Sequence, residues 1–147
     1  MEVAVAKGGT RDFDTGAGTF RHFQLISNEF NTPITLVCPS DTRKAAADFV
    51  RLNNQNVSYF VGLDAKASDM QGFLVGDRNI TTANPPVNGI LKLVPGQRAG
   101  WTEAMHVHIG NIGLVDGSVV QYAESMLQTE LQDFYSPTNT WRISLPE

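Results

Sequence analysis

Two spacings of apolar residues divide this chain. Before about residue 56 they recur at helical intervals, and from Val57 onward they alternate. Thr19 can cap a first helix in which Phe20, Phe23, Ile26 and Phe30 fall on one side. Asn31-Thr32-Pro33 ends it, because the residue before a proline is pushed out of the α region. Residues 34–37 read as a short strand closed by Cys38-Pro39. Ser40 or Asp41 then caps a second helix running to about Leu52, with Ala46, Phe49 and Val50 as its buried stripe and Asn53 to Asn56 as its stop.

In the alternating region, residues 57–63 and 72–76 form an antiparallel pair joined by the polar segment 64–71. Residues 77–80 continue as strand or bulge, 81–88 with Pro85-Pro86 form an irregular loop, and 90–94 are a further strand closed by Pro95-Gly96. Asp116-Gly117 lies between the β-type runs 112–115 and 118–122, the strongest short hairpin signal. A two-residue type I′ turn would pair Val115 with Ser118, Leu114 with Val119 and Gly113 with Val120, stacking Leu114 and Val119 on one face. Ser125 and Gln128 fit a capping box for a helix over about 126–134. Trp141 and Ile143 are expected to add an edge strand. Helices segregated from strands argue for an α+β fold, with an antiparallel sheet, two helices in the N-terminal half and one short C-terminal helix. Residues 1–18, rich in glycine, are expected to be an arm or loop, and 19–147 a single domain.

Composition narrows the function. At 147 residues the chain can bury a core, and 41% apolar with 18% charged residues is globular usage. A net charge of −4 without a Lys/Arg cluster argues against nucleic acid as a partner. The single cysteine, Cys38, is read as excluding both a disulfide framework within the chain and any cysteine-based zinc site; a buried structural thiol is the expected role. The apolar runs are too short to span a membrane, and the first residues have neither the basic start nor the apolar core of a signal peptide.

Candidate chemistry is sparse. His106 and His108 have strand spacing, so a metal could bridge them with Glu103 on the same face; the plainer reading has one bonding the hairpin and the other exposed. Loop residues Asp64, Asp77, Asn79 and Asp116 could hold calcium through oxygen ligands, or make turns through their own backbone. Asp77 and Arg78 could form an ion pair tying strands together, or an acid with its orienting cation. Trp101 is expected to pack over the sheet. The serines lack a Gly-x-Ser-x-Gly elbow, and no catalytic set emerges.

His106, separated by nine residues from Asp116-Gly117-Ser118-Val119 and with Gly110-Asn111 between, resembles the prepilin-type processing-associated H-x9-DG domain. That family comprises pseudopilin-like proteins of type II secretion or type IV pilus character. Phe20-Arg-His-Phe-Gln, Ser27-Asn-Glu, Cys38-Pro-Ser-Asp41, Asn56-Val-Ser-Tyr-Phe-Val-Gly62, Gly76-Asp-Arg-Asn79 and Gly100-Trp-Thr-Glu103 extend the likeness over nearly the whole chain. The resemblance implies a pilin-like head, with His106, Asp116 and Gly117 as structural motif residues. It implies a non-enzymatic subunit without a cofactor, touching itself, other pilin-like subunits or secretion machinery in the periplasm or at the cell surface. Membrane contact would run through an N-terminal helix that this sequence does not include. The alternative reading is an extracytoplasmic module binding calcium or a glycan through Asp64, Asp77, Asn79, Trp101 and Asp116. A histidine- and glutamate-based hydrolase is a third. Self-assembly through an exposed edge strand, with residues 1–10 adding to a neighbour's sheet, is a further route to filaments.

Overall fold

The computed structural model describes residues 10–13, 18–133 and 140–147. The expected arm over 1–18 lies mostly outside these residues, as does Phe134 at the expected end of the last helix. Eight strands and two α-helices make an α+β fold, as the segregation of periods implies: α1 (Thr19–Leu25), β1 (Tyr59–Gly62), β2 (Phe73–Asp77), β3 (Ile80–Thr82), β4 (Ile90–Leu93), β5 (Ala99–Trp101), β6 (Ile109–Leu114), β7 (Val119–Ala123), α2 (Glu124–Asp133) and β8 (Trp141–Ser144). Six strands form one antiparallel sheet in the order β4-β8-β1-β2-β6-β7, and β3 pairs with β5 in a separate ribbon. Among the described residues no helix is long and apolar enough to cross a membrane.

The large sheet separates two apolar cores. One holds Phe60, Phe73, Leu91, Leu93, Trp101, Ile112, Leu114 and Ile143, capped by Leu127 and Leu131 one turn apart on α2. The other gathers Phe23 of α1 with Leu36, Leu52, Val57 and Val61. A β-bulge in β2 serves both: Phe73 and Val75 span a single step of β6, from Leu114 to Gly113, so the first enters one core and the second packs against the other. Gly62 faces that bulge, where a Cβ would stand 1.8 Å from the Phe73 carbonyl oxygen.

The N-terminal half departs from its expected form. Residues 34–37 are not a strand; Pro33–Leu36 is a 3-10 turn, started by proline at its first position and capped by the Thr32 hydroxyl, which accepts from the Ile34 N–H at 3.4 Å. The first helix does not run to this proline as expected: α1 ends at Leu25 and a 3-10 turn, Ser27–Glu29, follows it. The expected helix over 41–52 is absent, and Val50 of its proposed stripe stands 88% exposed. Its side chains are engaged elsewhere. The Asp41 carboxylate accepts from Arg43 N–H in a local turn and from Arg78 across the molecule. The Arg43 guanidinium donates to the carbonyls of Asn54, Val57 and Pro146.

The hairpin is in place but one residue out of register. Gly113 faces Val119 and Ile112 faces Val120. Gly117 N–H bonds Leu114 C=O at 3.0 Å and Leu114 N–H bonds Ser118 C=O at 2.9 Å, which is a type I turn closed by a left-handed glycine bulge, φ 87° at Gly117. Asp116 keeps a negative φ, and its carboxylate accepts from the Ser118 N–H and hydroxyl. The one-residue shift sends Leu114 into the core and leaves Val119 70% exposed. α2 starts at Glu124 and its capping box is not made, because Gln128 Nε2 donates to Ala99 C=O at 2.6 Å. β8 is not an edge strand; it lies between β4 and β1.

Candidate metal centre

The site is built where three segments distant in sequence meet, one of them the end of β2. The first is the turn Cys38-Pro39-Ser40-Asp41, closed by Asp41 N–H on Cys38 C=O at 2.9 Å. Backbone bonds from Ser58 N–H to Leu36 C=O and from Arg78 N–H to Ser58 C=O hold the turn beside β2. Arg78 Nε and Nη2 each donate to one Asp41 oxygen at 2.7 Å, a bidentate pair with the Asp41 side chain 0% and Arg78 22% exposed. Burial alone would push the Asp41 pKa up, but the Arg78 bonds and charge, the Ser58 hydroxyl and the Arg43 N–H hold the carboxyl far below its ordinary range. Arg78 is thus partnered by Asp41 and not by its chain neighbour Asp77.

Asp77, buried, points the other way. Its Oδ2 accepts from Asn111 N–H at 2.7 Å and from Asn111 Nδ2 at 2.9 Å, so the carboxylate stands in for a ladder partner just past the last paired rung of β2 and β6. Tyr59 is its cross-strand neighbour. Burial first, then the proximity of Cys38, Asp77 and Asp41, pushes the Tyr59 hydroxyl above its usual titration range.

The third segment is the loop 102–108, which carries His106. Thr102 N–H bonds Asn79 C=O at 2.8 Å, and Asn79 Nδ2 donates to the carbonyls of Thr102 and Ile109, so buried Asn79 closes the loop from both ends. Val107 and His108 both adopt left-handed backbone, φ 51° and 61°, an uncommon state for a β-branched residue. The histidines therefore lack strand spacing and point apart. His108 Nδ1 meets Trp101 C=O at 3.0 Å and its Nε2 meets Glu103 at 3.3 Å; the Trp101 carbonyl foremost, then Glu103, raises its proton affinity. His106 turns inward instead. Its Nε2 lies 3.4 Å from Cys38 Sγ and 3.4 Å from Asp77 Oδ2.

Cys38, Asp77 and His106 thus form a group whose donor atoms all lie within 4.8 Å of one another. Cys38 and Asp77 are buried, while the His106 side chain is 23% exposed. The other candidates sit apart from it. Asp64 receives the N–H, Nε and Nη2 of Arg142 at the β1–β8 junction, and Asp116 is held in the hairpin turn. Trp101 is buried, its ring lying where a Cβ on Gly110 would come within 2.3 Å, and beside it Thr81, Thr82, Arg98, His108 and Glu124 line a shallow groove of about 330 Å³. Sequence reasoning weighed Cys38, Asp77 and His106 separately and missed their meeting. The available signal was that 38–41, 76–79 and the histidine of the H-x9-DG spacing all carry the family resemblance. Compared with family models, curated proteins and solved structures, the chain matches none.

Proposed function

We propose that this chain is a pilin-like head domain, a structural subunit that works through contact with other protein subunits. The observation that carries this reading is the free edge of the large sheet at β7. Among the described residues that strand has one ladder partner, and Val119 stands 70% exposed on it. An edge with open N–H and C=O groups beside an apolar side chain is a template for another chain. α1 supports the same reading. It lies on the sheet at the N-terminal side of the domain, with Phe23 in one core with Val61 and the Thr19 hydroxyl bonded to Ser144 Oγ at 2.7 Å. A helix seated in that way suits a head that follows an anchoring segment. The partners implied are further copies, other pilin-like subunits and secretion machinery, outside the cytoplasmic membrane.

A photo-reactive phenylalanine analogue at position 119, in cells producing the protein, should give covalent adducts with a second copy or another pilin-like subunit. Val119→Lys should abolish any self-association of the purified chain in light scattering while leaving its melting temperature within about 1 °C, as surface changes usually do. A folded protein that yields no such adduct, or adducts only with unrelated proteins, overturns the reading.

A further inference from the structure

The geometry points to Cys38, Asp77 and His106 as the ligands of one zinc-class divalent cation, with a fourth coordination position open toward solvent on the His106 side. Zinc binds thiolate at about 2.3 Å and imidazole or carboxylate at about 2.0–2.2 Å. At tetrahedral angles those bond lengths place the ligand atoms about 3.3–3.6 Å from one another. His106 Nε2 stands 3.4 Å from Sγ and 3.4 Å from Oδ2. The two edges that meet at Nε2 are therefore already spaced as in a zinc tetrahedron, and the third, between Sγ and the carboxylate, is within 4.8 Å.

Hydrogen bonding accounts for the cluster less well. A contact of 3.4 Å between nitrogen and sulfur is ordinary, but Nε2 carries at most one hydrogen. Where it has none and accepts the thiol S–H, Asp77 Oδ2 faces a bare lone pair. If the hydrogen is there and it points at Cys38, Asp77 Oδ2 faces the same nitrogen with nothing between them, beyond the usual N–H···O distance of about 2.9 Å. If it points at Asp77, the buried thiol loses its partner. A cation at the centre satisfies all three at once. The ligand types also choose the metal: one thiolate and one imidazole suit zinc and its neighbours, whereas calcium and magnesium need a shell of oxygens. Asn111 provides outer support, its N–H and Nδ2 fixing the oxygen that would ligate. Binding is balanced by release of the Cys38 thiol proton to solvent, since only the thiolate ligates. The left-handed backbone at Val107 and His108 finds a role here, because it turns His106 inward while its neighbour faces out.

This inference stands apart from the filament reading, since cation binding is read on the monomer whether or not it assembles. The test is titration of the metal-free chain with cobalt chloride and with zinc chloride. Cobalt should give the visible absorption of a tetrahedral ion together with a thiolate-to-cobalt charge-transfer band, saturating at one equivalent. Zinc should abolish both, and a large excess of calcium should not. Zinc affinity, read by competition with a chromophoric chelator, should fall more than about 100-fold in His106→Gln and Cys38→Ser, beyond the loss typical of an outer-shell group. His108→Gln should bind as the unmutated chain does. Absence of the charge-transfer band in the unmutated chain overturns the proposal without recourse to any variant. So does displacement of cobalt by calcium, or unaltered zinc affinity in folded Cys38→Ser.

Discussion

Asp41 shows how a single side chain can decide a local conformation. Its position before a run of alanines marks it as a helix cap, but its carboxylate finds a bidentate guanidinium across the molecule, and no helix forms behind it. Removing one partner of a buried pair costs about 3–5 kcal/mol, and partial exposure of Arg78 brings the expectation for Asp41→Asn to about 2–3 kcal/mol in chemical denaturation. The sign of the pH dependence follows from the depressed folded-state value. The contribution is whole above about pH 4, the unfolded range, and is lost as the pH falls below it toward the folded-state value. Unfolding free energy measured between about pH 6 and 3 should therefore drop more steeply for the unmutated chain than for Asp41→Asn. Gly110 offers a second residue-scale case. A Cβ there would meet the Trp101 ring at 2.3 Å, so Gly110→Ala should cost about 1–3 kcal/mol by overpacking. Thermal melts should show the loss largely relieved in the Gly110→Ala, Trp101→Leu double variant, as expected for residues in contact.

At the scale of elements, alternation was a sound guide, while helical spacing located α1 and α2 and failed over 41–52. The strands near 57–63, 72–76, 90–94 and 112–122 are legible because period-two runs bounded by turn residues have few other ways to fold. The stretch 34–52 was misread because Arg43, Gln24 and Asn56 bond backbone carbonyls of irregular segments, a tertiary arrangement that no local period announces. The hairpin lies between these cases. Asp-Gly marks the turn, but the same dipeptide serves a type I turn with a glycine bulge, and the choice moves every side chain of β7 to the other face. Gly117 has open space around it, so the penalty for Gly117→Ala is conformational alone, about 1 kcal/mol. Gly117→Asn, which tolerates left-handed backbone, should cost less; equal losses in chemical denaturation would place the turn in another class.

Across the whole molecule, Cys38, Asp77 and His106 come together over separations of 68 positions between the outer pair, which explains why the cluster was invisible along the chain. The fold brings the turn at 38–41 and the loop 102–108 to the end of β2, three stretches that no local period links. The α1 contact has its own long reach. Thr19 bonds Ser144 over 125 positions, beside a strand held by β4 on one side and β1 on the other. That hydroxyl bond fastens α1 to a strand with a ladder on either side, so the helix is pinned to the interior of the sheet and not to its rim.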